Sequence, residues 1–319
     1  MHRRNNESVV DYYCNLCRAP TRHSEVLSHW DNTYYADKKL YTLLRCHTCG
    51  LVEIQNKPDA DALASYYQAN YYSYDTSGNI FFRLKAAVAR MATRLPRLLA
   101  ARLLLDDLYA FAPQEDDPSV LDIGCGDGSA LQAMKALGFT NLYGTEIDPR
   151  HRSILERQGI HVAIASDVTS AGLPEARFDV VRLSHVLEHV SNPSETIGQC
   201  WRLLKSGGKL LVAVPNFDSP ARRLFGRYFC GLQLPTHLYH FNRTNLRRLL
   251  TQHRFVVKSL YTVGYSGFSS SLMTMLKDKY GIVLPTLIST ALILTMAPLE
   301  AVFNVIGSGY ITTVEAVKP

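Results

Sequence analysis

The sequence predicts an α/β fold: a parallel sheet with helices on both faces, preceded by a small cysteine-held arm and a helical connector. Three observations predict it. From Ser119 onward, short apolar runs rich in β-branched residues alternate with helical segments, as strand–helix–strand units require. Upstream, two Cys-x-x-Cys pairs stand a few short strands apart, the spacing of a metal-held arm. Between them the polar, proline-bounded PQEDDP, residues 113–118, marks a boundary. With 319 residues, 47% of them hydrophobic, the chain can bury a sizeable core beside an appendage.

The arm is residues 1–57. Its pairs are Cys14-Asn-Leu-Cys17 and Cys46-His-Thr-Cys49. Each pair can chelate on a tight turn, and four thiolates complete a closed tetrahedral zinc site with no open position for chemistry, so the metal is expected to be structural. His23 and His47 are ligands by chemistry but are read as surface imidazoles. The connector, 58–118, holds the tyrosine-rich DALASYYQANYYSYD and then FFRLKAAVARMATRLPRLLAARLLLDDLYAF, interrupted at Pro96 and carrying Arg83, Lys85, Arg90, Arg94, Arg97 and Arg102. It reads as two amphipathic helices packed on the main domain with a solvated arginine face; an anionic membrane surface is the alternative.

Residues 119–319 form the second domain. SVLDIG, NLYGTEID, HVAIAS, FDVVRLS and KLLVAVP are its strands, separated by helical segments such as SALQAMKALG, RHRSILERQG and PSETIGQCWRLLKSG; FVVKSLYTVG and YITTVEAVKP close the sheet. Between the closing strands lies GIVLPTLISTALILTMAPLEAVFNVIG, 281–307, with Glu300 as its only charge. By hydropathy it is a membrane span, but the strand after it must return to the same sheet, which excludes a single crossing. With Pro285 and Pro298 as breaks, two short apolar helices are expected, which cover a ligand pocket, dimerise or dip into a bilayer interface; burial in the fold or a dimer is preferred.

VLDIGCGDGSAL, 120–131, sets Asp122, Gly124, Gly126 and Gly128 between a strand and a helix. Glycines there let the backbone approach a nucleotide-like ligand, and a helix N-terminus offers N–H groups. A dinucleotide fingerprint, the obvious rival, would need a third glycine where Ser129 stands; the spacing here is G-x-G-x-G. The next strand ends in Glu146, suited to accept from ribose hydroxyls, and the third is followed by Ser166-Asp167, suited to accept from an adenine amino group. From Val120 through HVLEHV and RLLKSGGKLLVAVPN to the last strand, the chain resembles the class I S-adenosylmethionine-dependent methyltransferases. Its CxxC…CxxCGL followed by YYQANYYSYD resembles the zinc-ribbon arm on methyltransferases of sugar and polysaccharide gene clusters. The resemblance implies a Rossmann-like sheet in which Asp122 and the glycines hold the methionine end of the cofactor, Glu146 the ribose and Asp167 the adenine. Ile147 packs on the adenine face, and Ser184, last in the fourth strand, borders the cofactor.

HVLEHV, residues 185–190, contains the His-x-x-Glu-His of one group of zinc peptidases, but the long helix and downstream acidic ligand of that class are missing. In the resembling family this segment lines the junction of cofactor and acceptor, and a helical turn would put His185, Glu188 and His189 on one face. Either His185 or His189 is a general base oriented by Glu188, or the three side chains hold a divalent ion. Methyltransferases of ubiquinone synthesis and of small-RNA ends hold magnesium on an E-x-x-E-H version of the turn. His185 in the place of the first glutamate departs from that version, and the metal-free base is favoured. The structural alternative has Glu188 and His189 capping a helix. In LPTHLYHFNRTNLRRLL, His237 is a further site residue, His240 packs under a helix, and Asn242 or Thr244 is the N-cap.

The resulting expectation is methyl transfer from S-adenosylmethionine to a hydroxyl, less so a carbon, of a saccharide, nucleotide-sugar or lipid-linked acceptor. The runner-up is a non-catalytic scaffold in which the zinc ribbon binds a partner and the methyltransferase fold is silent; a dehydrogenase is the third reading. The formal charge of +6 suits anionic partners without selecting one; nucleic acid is not expected, and a homodimer is left open. MHRRNNESVVDYYC lacks the apolar run of a signal peptide, which places the chain in the cytoplasm, at the inner face of the membrane if 281–307 touches lipid. Cys14→Ser or Cys46→Ser is expected to unfold the arm while leaving cofactor affinity nearly intact.

Overall fold

Alternating residues of the arm form β1 (Val9–Cys14), β2 (Ala19–His29), β3 (Tyr41–Cys46) and β4 (Val52–Ile54), paired antiparallel in that order. The computed structural model describes residues 9–31, 38–59, 62–63, 66, 117–136 and 138–319. Each Cys-x-x-Cys turn joins two strands of the arm, β1 to β2 and β3 to β4. A fifth strand, β10 (Tyr239–His240), reaches this sheet from the second domain, with Tyr239 opposite Glu53 and His240 opposite Val52. Leu43, Val52 and Ile54 of the arm therefore share one buried cluster with Leu121, Leu183 and Leu238. The expected connector helices, with their arginines and Pro96, lie outside the described residues.

The main sheet contains β5 (Val120–Ile123), β6 (Leu142–Glu146), β7 (His161–Ile164), β8 (Phe178–Ser184), β9 (Leu204–Pro215), β11 (Val256–Val263) and β12 (Ile311–Val317). Their order is β11-β12-β9-β8-β5-β6-β7. The five strands from β9 to β7 run parallel, and β12 inserts antiparallel between β9 and β11. The chain builds outward from β5 to β7 and then returns to place β8 on β5's other side. That reversal opens a crevice at the carboxyl ends of β5 and β8, where ligands bind in open α/β sheets.

Helices α1 (Ser129–Ala136), α2 (Arg152–Arg157), α3 (Pro193–Leu203), α4 (Pro220–Phe225) and α5 (Arg243–Gln252) flank the strands. Pro193 starts α3, where a missing N–H costs nothing, and Asn192 caps it by accepting from Glu195 N. Asn242 caps α5 in a reciprocal capping box with Asn245. The helix expected through Lys205–Gly207 stops at Leu203, because those residues extend β9, where Gly207 N donates to Lys318 O.

The apolar insertion departs from expectation. It follows α6 (Gly267–Tyr280) and forms one helix, α7 (Thr286–Val305), instead of two. Pro285 sits at the N-cap, where its fixed φ is compatible with helix entry, and Pro298 removes one bond from the ladder without ending it. The helix is not buried within its own fold: Leu287, Leu294 and Val302 are exposed. Among the described residues α7 is the one helix long and apolar enough to cross a membrane.

Candidate active site

The glycine turn lies in the crevice between β5 and α1, and Gly124, Gly126 and Gly128 all have positive φ, which disfavours a side chain. A Cβ on Gly128 would lie 2.1 Å from Leu155 Cδ2, whereas one on Gly126 would meet nothing within 4 Å. The turn is thus packed from below at Gly128 and open at Gly126. Its N–H groups are partly spoken for, since Gly126 N donates to Glu146 Oε2 at 2.8 Å and Ser129 N to Asp127 Oδ1 at 2.9 Å. Asp122 lies under the turn, at the end of β5. It is buried, and Oδ1 accepts from Arg182 Nη1 at 2.8 Å across the β5–β8 register, so its carboxylate braces the turn from behind.

Glu146 closes the turn against β6. Its Oε1 accepts from Ile147 N and Asp148 N at 2.9 and 3.0 Å, and with Gly126 this makes three backbone donors. A carboxylate offers about four acceptor sites, leaving room for a further donor such as a ribose hydroxyl. Ile147 projects beside it, 49% exposed, as an apolar surface for a flat ring. Asp167 is exposed beyond β7, where Oδ1 accepts from Ser170 N at 2.8 Å; this hydrogen bond first of all holds its carboxyl below the usual range. Ser184 ends β8, half-buried at the lip of the crevice.

HVLEHV forms a non-helical turn, because α3 begins only at Pro193. The helix-capping alternative falls with it, since Asn192 is the cap. His185 occupies the left-handed region at φ 55 and donates its N–H to Ala213 O, extending the β8–β9 pairing by one residue. Non-glycine residues there are held by their surroundings and mark a site. Its ring is 32% exposed, with Nδ1 3.3 Å from Glu188 Oε1. Glu188 is buried, and its Oε2 has no hydrogen-bond partner among the described residues.

His237 joins this group from the segment before β10. Its ring meets that of His189 edge-on at 4.5 Å. His189 Nδ1 lies 3.0 Å from Thr236 O, and His237 Nδ1 lies 2.9 Å from Gly231 O. Each carbonyl can only accept, so each Nδ1 carries the proton and each Nε2 a lone pair. Burial pushes both imidazoles below the ordinary histidine range, His237 further. Glu188, His189 and His237 each offer a ligand atom within 4.8 Å of the others. His240 stands apart, buried against Phe217 with ring centroids 5.1 Å apart.

Sequence reasoning missed Arg182 and the carbonyls of Gly231 and Thr236. A cation within the apolar run FDVVRLS was the available signal for Arg182, since it needs a buried partner. Nothing in the sequence marks the two carbonyls.

In the arm, Cys14 and Cys49 sulfurs lie 3.5 Å apart and those of Cys17 and Cys46 3.9 Å. A tetrahedron with Zn–S near 2.3 Å has edges of about 3.8 Å, so the four sulfurs fit zinc. The hydrogen bond with Cys49 brings the Cys14 thiol down to about 4, while burial raises Cys17 to about 11. His23, read as a surface imidazole, is buried with Nδ1 2.8 Å from Thr21 O; His47 is exposed.

Residues 91–260 match the family described as "Methyltransferase domain". Curated relatives include the "Ubiquinone biosynthesis O-methyltransferase" of Maricaulis maris (strain MCS10), 36% identical over 130 residues, 38% of this chain and 51% of that protein. The protein of the same name from Pseudomonas putida (strain GB-1) is 30% identical over 133 residues, 39% of this chain and 56% of its own length. The chain thus spans about half the length of the curated relatives it matches. A solved SAM-dependent methyltransferase from Archaeoglobus fulgidus is 20% identical, with a TM-score of 0.46, covering 70% of this chain and 96% of that one. One from Thermotoga maritima is 17% identical, with a TM-score of 0.45 and coverages of 78% and 99%. The family match spans just over half of the 319 residues, and the sheet order and glycine turn accord with it, so the chain belongs to the methyltransferase-domain family.

Proposed function

We propose that the chain transfers a methyl group from S-adenosylmethionine to a hydroxyl of a saccharide, nucleotide-sugar or lipid-linked acceptor, with His185 as general base. The observation that carries this reading is the convergence, at one crevice, of the glycine turn after β5 with the His185–Glu188 pair after β8. The residues fit the cofactor: Gly126 leaves the space a Cβ would fill, Glu146 keeps one acceptor site, and Ile147 offers an apolar face. S-adenosylmethionine, when bound, supplies an electrophilic methyl group. The protein then has to hold the acceptor in line and remove its proton. His185 Nδ1 faces Glu188 Oε1, so Nε2 is the atom that takes the proton, and Glu188 steadies the imidazolium. Oxygen as the methylated atom is supported by the name of the curated relatives.

A divalent ion on Glu188, His189 and His237 is a second reading, favoured by the fixing of both imidazoles through Nδ1 to backbone carbonyls, as metal-bound histidines usually are. It would share Glu188 with the base. In the arm, zinc on Cys14, Cys17, Cys46 and Cys49 would be structural.

Calorimetric titration with S-adenosylmethionine and turnover of His185→Ala test the reading. Binding is expected, with turnover down roughly 10²–10⁴-fold and cofactor affinity unchanged in the variant. No binding by the pure, zinc-loaded protein would overturn the enzyme and leave a scaffold. Mass spectrometry of envelope saccharides and lipids from cells with and without the protein identifies the acceptor by loss of one methyl group.

A further inference from the structure

We propose that the outward face of α7 seats the protein on a lipid bilayer bearing anionic headgroups, a role independent of the methyl-transfer reading.

The helix is inside out. Its one charged residue and its one amide face the protein: Glu300 Oε1 accepts from Phe268 N at 2.6 Å, Asn304 Nδ2 donates to Gly264 O at 2.8 Å, and Asn304 O accepts from the Thr262 hydroxyl at 3.3 Å. Both side chains are buried. The opposite face is uncharged and mostly apolar, exposed along its whole length, with Leu287 at 83%, Leu294 at 68% and Val305 at 61%, and with the hydroxyls of Thr286, Thr290 and Thr295 as its polar groups; Val283, in the loop before the helix, is at 72%. Soluble helices show the reverse arrangement. Twenty residues make a strip about 30 Å long with no charge on its outward side.

What lies around the strip selects the occupant. Lys277 and Lys279 are exposed in the last turn of α6, directly before it. Tyr280 follows them, and Trp30 of the arm, whose Nε1 donates to Asp278 Oδ1 at 3.3 Å, stands alongside, both exposed. Asp278 is itself buried there, also 3.6 Å from His29. Lysine, tyrosine and tryptophan at the edge of an apolar face are the residues that sit at headgroup level. The helix lies along the surface instead of crossing, since β11 before it and β12 after it pair within one sheet.

Flotation of the full-length, zinc-loaded protein with phosphatidylcholine vesicles, with and without phosphatidylglycerol, tests this. The protein is expected to float with the mixed vesicles. Leu287→Glu/Leu294→Glu should lower the bound fraction about tenfold or more at unchanged melting temperature, because neither residue is in the core. Lys277→Glu/Lys279→Glu should lose the preference for phosphatidylglycerol while keeping residual binding to neutral vesicles. Failure to float, or equal flotation of the leucine variant, overturns the proposal. So does a concentration-dependent dimer that the leucine variant abolishes in the absence of vesicles.

Discussion

Arg182 and Asp122 form a buried ion pair beneath the glycine turn, joining two strands far apart in the chain. Removing one member of such a pair typically costs about 3–5 kcal/mol, because the remaining charge keeps its desolvation cost. Arg182→Met should therefore destabilise the fold by about that amount. Asp122→Asn in the same chain should recover part of the loss; denaturant titration measures both, and additive losses would show that the pair is not coupled. Asp122, Glu146 and the glycines were legible in the sequence because they cluster around strand ends. The pairing of Asp122 with Arg182 was not, since it depends on the register of β5 with β8, which no local pattern encodes. His240 carries a pH prediction. Burial brings its imidazole down to about 3 from an ordinary 6.5. Between those values the unfolded chain binds a proton that the folded chain refuses, so stability is lost as pH falls below about 6.5, by up to about 1.4 kcal/mol per pH unit, and the effect vanishes above it. His240→Phe should flatten this part of the stability profile; an unchanged slope between pH 6.5 and 5 would assign it to other groups.

Individual elements differ in how far local sequence determines them. The cap of α5 is local: Asn242 accepts from Asn245 N at 2.9 Å, and Asn245 Oδ1 accepts from Asn242 N at 2.9 Å. Asn242→Ala should cost about 0.5–2 kcal/mol, seen as a lower melting temperature with S-adenosylmethionine affinity retained. A loss well below that range would mean that tertiary packing of Leu246, Leu249 and Leu250 already fixes the helix start. HVLEHV was less legible: the spacing of His185, Glu188 and His189 suits a helical turn, but the backbone first follows β9 at His185 and only then turns, with His189 N donating to Val186 O. In α7 two prolines suggest two breaks, yet one precedes the helix and the other is absorbed by it. Periodicity identified the apolar segment, while its outward orientation depends on Glu300 and Asn304 finding partners in α6 and in Gly264.

Across the whole molecule, the arm and the β8 side of the crevice form one mechanical unit. Ile54 N donates to Leu238 O, and Leu238 N and Tyr239 N both donate to Glu188 O, so a continuous set of backbone bonds runs from β4 through β10 to the turn that carries His185 and Glu188. Lys57 Nζ reinforces it, 2.5 Å from buried Glu53 and 3.1 Å from the Tyr239 hydroxyl. The cofactor side is built separately: Cys125 and Leu131 of the glycine turn and α1 pack in a second buried cluster, on the far side of the sheet from the arm. A fault in the arm should therefore reach His237 and Glu188 before it reaches Glu146. Cys46→Ser, by loosening the turn between β3 and β4, is expected to lower turnover about 10²-fold, the scale for a misplacement of about 1 Å, while S-adenosylmethionine affinity changes little. Independence of the arm, as its sequence suggests, holds on this view for the cofactor but not for catalysis. Titration calorimetry and steady-state turnover on the same preparation separate the two effects, with metal analysis comparing the zinc content of the variant and the parent. Full turnover with the arm unfolded would show that the strand contributed by Tyr239 and His240 keeps its place without β4, and a parallel loss of cofactor affinity would show that the two sides of the crevice fold as one.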